Sequence, residues 1–488
     1  MQMREGAARI ADVAFKVVAA LLAASLVASA WHDVSKAWDV WAYHLPFAAR
    51  ITGIVGADSY RFHPTNDGRY AGFPLALEAA QGALWRITGR PECANFVALA
   101  SLPALAFTMR RFFAVPIHVT FLALLAVPLV QIHATQCYVD LPANASATIL
   151  LLCAYRAVVT KEPPSLRLVA GAAIAAAITV NAKFQLAPIV LLASCVLLVR
   201  AVRARSEAER GAPLRVSRSA PRRARIALIA VALPIVFATP LKNTVKYGNP
   251  VWPVELHVAG KTLPYTEGTY ESAPWALEHA SRPRRFVWSL LEVGLRPISS
   301  ERRWSIDQWA PPEHPGKRMG GFFGGYVVVN VIALAAAAVR RRTRESRAAV
   351  GFALGAGVLT SVMPQCHELR YYLYFMLLLV CLNLALWARE LPRVVPFAAL
   401  LALAAVVWST RAAYLYPSGD SFATLLASRV DARIVESAAP GETICVSRDP
   451  WTFLYAAPFH PTYAHKRYLV QEAVTKEECG PARFVDPP

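Results

Sequence analysis

Charge is scarce in this chain. Only 17% of its 488 residues are Asp, Glu, Lys or Arg, against about 25% in soluble domains. The deficit gathers in apolar runs of roughly 13 to 21 residues, many near the length a helix needs to cross about 30 Å of hydrocarbon. That excludes an ordinary soluble globule and counting domains by length. Chemical signatures are scarce too. There is no Gly-rich phosphate loop, no zinc-ligand spacing and no nucleophile elbow, which leaves out three familiar kinds of hydrolytic or nucleotide site. No internal repeat marks paired transporter halves. The eight Cys are scattered. Cys93, Cys153, Cys195 and Cys381 fall within apolar runs and read as small core residues. Cys445 and Cys479 share the polar tail, where a disulfide can form if that tail is extracytoplasmic.

Acids are the scarcer sign, 32 against 51 bases, for a formal charge of +19. In a soluble protein that excess would raise nucleic acid as a partner. Here most of the Arg lies in short loops between apolar runs, as orientation signals, so no nucleic acid is expected. The same charge attracts anionic lipid and lipid phosphate.

The pattern predicts an all-α polytopic membrane protein with about eleven spans, since each run is near bilayer length. They fall near residues 11–30, 93–109, 112–132, 141–159, 168–180, 186–199, 226–241, 321–339, 348–363, 371–387 and 394–408. The first reads as a retained helix, because no small-residue cleavage site precedes Trp31. A further segment, 73–87, is interrupted by Glu78, Gln81 and Arg86 and reads as an amphipathic helix lying along the surface. With the N-terminus inside, alternate loops carry the positive charge: Arg110-Arg111, then Arg156, Lys161 and Arg167. The nine Arg of 200–225 come next, followed by Arg340-Arg341-Arg342, Arg344 and Arg347, and finally Arg389 and Arg393. The stretch 242–320 is basic on the outer side, but it exceeds the roughly 60 residues over which the rule holds. Residues 1–410 are thus expected to form the membrane domain, with outer loops at 31–92 and 242–320. Residues 411–488 are expected to form a small extracytoplasmic α/β module, with a turn and short strand at 441–447.

This topology sends five polar clusters to the outer side, each near a span end. They are Trp38-Asp39-Val40-Trp41-Ala42-Tyr43-His44, Tyr138-Val139-Asp140-Leu141-Pro142, Asn181-Ala182-Lys183, the stretch from Lys242-Asn243 through Trp252-Pro253, and His367-Glu368-Leu369-Arg370-Tyr371-Tyr372. Asp39 can serve as a general base at the edge of a low-dielectric phase. It reads equally as the cap of a helix beginning near Val40, with Trp38 and Trp41 as belt anchors. Asp140 before Pro142 is ordinary helix-start chemistry. It can also share a site with Asp39, where two carboxylates could hold a divalent cation through oxygen or divide acid and base roles. Lys183 and Arg370 snorkel to headgroups on one reading and capture a phosphate on the other. Tyr43, His44, His367, Glu368 and Asn243 are candidate pocket residues, with Glu368 also a natural ion-pair partner for Arg370. The Tyr247-to-Pro253 stretch is a turn by composition.

In their order these clusters resemble the GT-C superfamily of integral membrane glycosyltransferases. They are most similar to the bacterial members akin to protein O-mannosyltransferases and the lipid A aminoarabinose transferase. The motifs that carry this are the acidic aromatic stretch after the first span, Tyr-Val-Asp-Leu-Pro, Asn-Ala-Lys-Phe, Lys-Asn-Thr-Val-Lys-Tyr-Gly-Asn-Pro-Val-Trp-Pro and His-Glu-Leu-Arg-Tyr-Tyr, over roughly residues 11–380. The resemblance implies a GT-C-like fold in a bacterial cytoplasmic (inner) membrane. It implies transfer of a sugar from a polyprenyl-phosphate donor to a glycan, lipid or protein acceptor on the outer face. It maps the acidic roles onto Asp39 and Asp140 and the donor-phosphate contacts onto Lys183 and Arg370. Many relatives carry two adjacent acids in the first outer loop, whereas Val40 follows Asp39 here. A competing reading is a flippase for a lipid-linked saccharide, which would put charge in mid-span. A third is a non-catalytic scaffold of the cell envelope.

Overall fold

The computed structural model describes residues 2–209, 220–269, 273–274, 277–295, 297–300, 303–304, 319–392, 394–447 and 450–486. Residues 210–219 of the basic segment 200–225 and parts of the outer loop 242–320 lie outside them. All eleven apolar runs are helical. Among the described residues, five helices are long and apolar enough to cross a bilayer, seven if each bent pair counts as one span, and Leu166–Val180, Tyr374–Trp387 and Val394–Thr410 are shorter.

Proline explains where the runs break. The expected single span at 112–132 is two helices, Ile117–Leu125 and Pro128–Ala134, meeting at 100°. Pro128 has no N–H and holds Val127 extended, at φ −95° and ψ 116°. The Gln131 amide donates to the Leu125 carbonyl left free at the break, 2.6 Å away. The run 226–241 bends by 54° between Ala227–Val236 and Ala238–Tyr247. Asn181 fills that gap: its amide donates to the Ile235 and Val236 carbonyls, and its oxygen accepts from the Thr239 N–H. The Asn of the Asn-Ala-Lys motif is therefore scaffold, while its Lys belongs to the site.

The helix Ala76–Thr88 is not a surface float. Glu78 and Gln81, which interrupt the apolar pattern, are buried at 3% and 0% exposure. Gly82 lies against the Ala48 carbonyl so closely that a Cβ would sit 2.3 Å from it. The helix thus packs its polar face inward on the helix Leu45–Thr52.

Among the described residues, six strands form two sheets: β1 (Tyr60–Arg61), β2 (His257–Val258), β3 (Lys261–Thr262), β4 (Thr443–Ser447), β5 (Leu469–Ala473) and β6 (Arg483–Val485). The order β1-β5-β4-β6 is parallel throughout, with Tyr60 opposite Val470 and Val470 opposite Ile444. One edge strand of the C-terminal sheet is therefore supplied by the first outer loop. Cys445 and Cys479 are joined by a disulfide beneath this sheet.

Candidate active site

Residues 38–52 are helical, and a π-turn occupies Val40–His44, closed by the Leu45 N–H on the Val40 carbonyl. The local cause is Pro46, which has no N–H for the Ala42 carbonyl four residues back. The Asn66 amide donates to that carbonyl at 3.2 Å and also reaches Glu472 on β5 at 3.1 Å. Trp41 is buried, stacked on Phe422 with ring centres 5.8 Å apart, so it anchors the tail rather than the lipid interface. π-Turns of this kind are frequent at functional sites.

The turn carries Asp39 to Arg370. Asp39 Oδ2 lies 3.2 Å from Arg370 Nη1, with the guanidinium 4% exposed and the carboxylate 21%. Asp140 begins the helix Asp140–Val159, and its Oδ1 lies 2.5 Å from Lys183 Nζ. Tyr371 joins the two pairs. The Lys183 ammonium sits 4.0 Å from its ring centre and the Arg370 guanidinium 4.9 Å from it, while Arg370 Nη2 donates to its hydroxyl at 3.0 Å. Tyr138 offers Arg370 a second ring at 5.4 Å. Cations over aromatic faces are stabilised where water is scarce. Asn144, one turn beyond Asp140, donates to the Arg370 carbonyl and accepts from the Tyr374 N–H. It fixes the Arg370 turn, Leu369–Tyr372, on the Asp140 helix.

Burial, with the Asp39 charge beside it, raises the Tyr43 hydroxyl well above its ordinary value. It remains a neutral hydrogen-bond donor. His44 faces Glu78, Nδ1 to Oε1 at 2.8 Å, and its ring meets Tyr138 edge-on at 5.8 Å.

Asp39, Asp140, Lys183, Arg370, Tyr43 and His44 thus belong to one neighbourhood. Glu368 is buried with Oε2 3.7 Å from Arg370 Nε. His367 is buried and its carbonyl accepts the Ser289 hydroxyl. Asn243 departs from its expected pocket role: its amide donates to the Gly72 and Trp252 carbonyls, at 2.8 and 3.1 Å, and ties two loops together. Tyr138, Asn144 and Glu78 escaped the sequence reading as site residues. Asn144 was detectable at four residues from Asp140, on the same helix face. Glu78 was detectable as the acid breaking an apolar run. No group of three or more His, Cys, Asp or Glu able to hold a metal ion occurs among the described residues.

The described residues form a mostly helical architecture with five to seven helices long and apolar enough to cross a membrane. The chain is similar to ArnT from Cupriavidus metallidurans in its apo state, with a TM-score of 0.53 and 14% identity, over 96% of this chain and 86% of that one. It is also similar to the same protein bound to undecaprenyl phosphate, with a TM-score of 0.51 and 14% identity, over 94% and 89% of the two chains. At that identity the likeness establishes the fold. No protein family and no curated protein matches the chain by sequence.

Proposed function

We propose that this protein is a membrane glycosyltransferase that moves a sugar from a polyprenyl-phosphate donor to an acceptor at the outer face of a bacterial inner membrane. The observation that carries the reading is the pair of largely buried cations, Lys183 and Arg370, bracketing Tyr371, with Asp140 beside Lys183 and with Asp39 and, farther off, Glu368 beside Arg370. A donor phosphate has charge before and after its bond to the sugar breaks. Two cations fixed in a water-poor site stabilise the charge that grows on the leaving oxygen. Arg370 presents a fork of donors able to hold Asp39 and a phosphate together, and Lys183 adds a point charge. Asp39 and Asp140 keep both cations in place when no donor is bound. Their two carboxylates also offer oxygen ligands to a divalent cation, without a third acid among the described residues to complete the set. The eleven helical runs are taken as spans with the N-terminus cytoplasmic, and the tail as an extracytoplasmic module, which its disulfide favours. The fold shared with ArnT, a protein crystallised with undecaprenyl phosphate, supports a lipid-phosphate ligand.

The test is transfer by purified protein in lipid, given a radiolabelled polyprenyl-phosphate sugar. Sugar leaves the lipid carrier on this reading. A flippase would move the intact lipid-linked sugar across the bilayer and release none.

A further inference from the structure

Both aspartates are poorly placed to take a proton from an acceptor. Asp39 faces Arg370 at 3.2 Å and Asp140 faces Lys183 at 2.5 Å, with both cations largely buried. Protonation at Asp140 would strip the largely buried Lys183 of its carboxylate, and at Asp39 it would leave Arg370 with the more distant Glu368, 3.7 Å away; both changes are costly. The same turn carries another base. We propose that His44, oriented by Glu78, is the general base of the transfer, and that the acceptor nucleophile is therefore a hydroxyl rather than a phosphate. This rests on the transferase reading above.

Three observations converge. First, the π-turn brings His44 into the segment that holds Asp39 and Tyr43, with the Tyr43 and His44 rings 4.4 Å apart. Second, His44 and Glu78 are both buried, at 4% and 3% exposure, and share a 2.8 Å hydrogen bond. An ionised carboxylate only accepts, so Nδ1 carries the hydrogen and the lone pair lies on Nε2. Nε2 makes no hydrogen bond among the described residues. Third, Glu78 is under-satisfied: its Oε2 is buried without a partner. A purely structural acid would have that oxygen paired. Here the charge gains most when the imidazole facing it becomes imidazolium, which is the service a buried acid renders a catalytic His. Tyr138 connects the dyad to the donor cations, with His44 at its edge and Arg370 over its face.

The step balances without an added reagent. The hydroxyl oxygen forms its bond to the anomeric carbon as the bond from that carbon to the phosphate oxygen breaks. The hydroxyl proton passes to His44 Nε2, and polyprenyl phosphate leaves with the electron pair. A phosphate acceptor is already ionised near neutral pH and would need no such base.

The test compares wild type with His44→Ala, His44→Gln and Glu78→Gln in lipid, using a labelled polyprenyl-phosphate sugar with alcohol and phosphate-monoester acceptors offered in parallel. On the alcohol, kcat of both His44 variants should fall about 10²- to 10⁴-fold, with the donor KM within threefold of wild type. Free imidazole should restore His44→Ala by tenfold or more, and Glu78→Gln should lose less than either. A His44→Ala or His44→Gln kcat within threefold of wild type, or a loss carried by donor KM alone, overturns the proposal. So does transfer to the phosphate in preference to the alcohol. Melting in detergent checks that the variants are folded, and His44→Gln serves where His44→Ala is not. Wild type that releases no sugar from the donor overturns the transferase reading itself, and the proposal with it.

Discussion

Glu292 and Asp39 are both acids at the ends of helical segments, yet their surroundings differ in kind. Glu292 is 4% exposed and filled with donors. Its Oε1 accepts from Trp304 Nε1 at 2.7 Å and from the N–H groups of Gly321 and Phe323, and its Oε2 accepts from Arg303. Glu472 is similar, accepting from the Tyr60 hydroxyl, the His63 N–H and the Asn66 amide. Asp39 meets one cation, Arg370, and is partly open. Glu78 has one oxygen unmatched. The difference separates two uses of a buried acid. A saturated carboxylate organises neutral donors and holds loops together. An unsaturated one holds charge in reserve for something that changes during turnover.

The contrast is sharpest at Arg370. Arg370→Ala should cut sugar transfer about 10²- to 10³-fold, the loss expected when a transition-state donor is removed. Arg370→Lys should recover part of it, because the charge stays and the fork is lost. Initial rates with labelled donor measure both. Full activity in Arg370→Ala would erase the distinction. At the saturated acid the readout changes. Glu292→Ala should lower stability by about 3 kcal/mol by leaving several buried donors unmatched, while activity per folded molecule stays near wild type. Melting in detergent beside the transfer assay checks it. A smaller loss belongs to the joint between loop and tail: Asn66→Ala should cost about 1 to 2 kcal/mol. It should also slow transfer, since the Ala42 carbonyl of the π-turn loses its donor.

Smallest of all is the exposed pair of Lys36 with Asp420 at 2.5 Å. Burial works against the Asp420 charge, but Lys36 and Ser418 hold its carboxyl below the ordinary 3.8. Its folded pKa is depressed, so its contribution is present above that ordinary value and fades as pH falls through the lowered one. Asp420→Asn should cost under about 0.5 kcal/mol at neutral pH. The gap from wild type should close in melts as the pH falls through that lowered value.

Much of this was legible in one dimension. Apolar length marked the eleven runs that are helical, and position at a span end marked Asp39, Asp140, Lys183 and Arg370 as candidates. What escaped is instructive. The helix Ala76–Thr88 was misread because Glu78 and Gln81 point inward, and a periodicity argument assumes that polar faces meet water or headgroups. Pro128 sits inside a run of sufficient length, so composition alone concealed the 100° elbow. Trp41 looked like an interface anchor because its partner Phe422 lies far along the chain. The pairing of β1 with β5 likewise joins residues 60–61 to 470–471, a contact no local pattern announces.

The central claim is that Lys183 and Arg370 are a phosphate cradle held ready by two aspartates. A structure of the protein with a bound polyprenyl phosphate tests it most directly. The phosphate oxygens should lie about 3 Å from Arg370 and Lys183 nitrogens, beside Tyr371. A phosphate bound elsewhere, with neither cation in contact with it, would contradict the account.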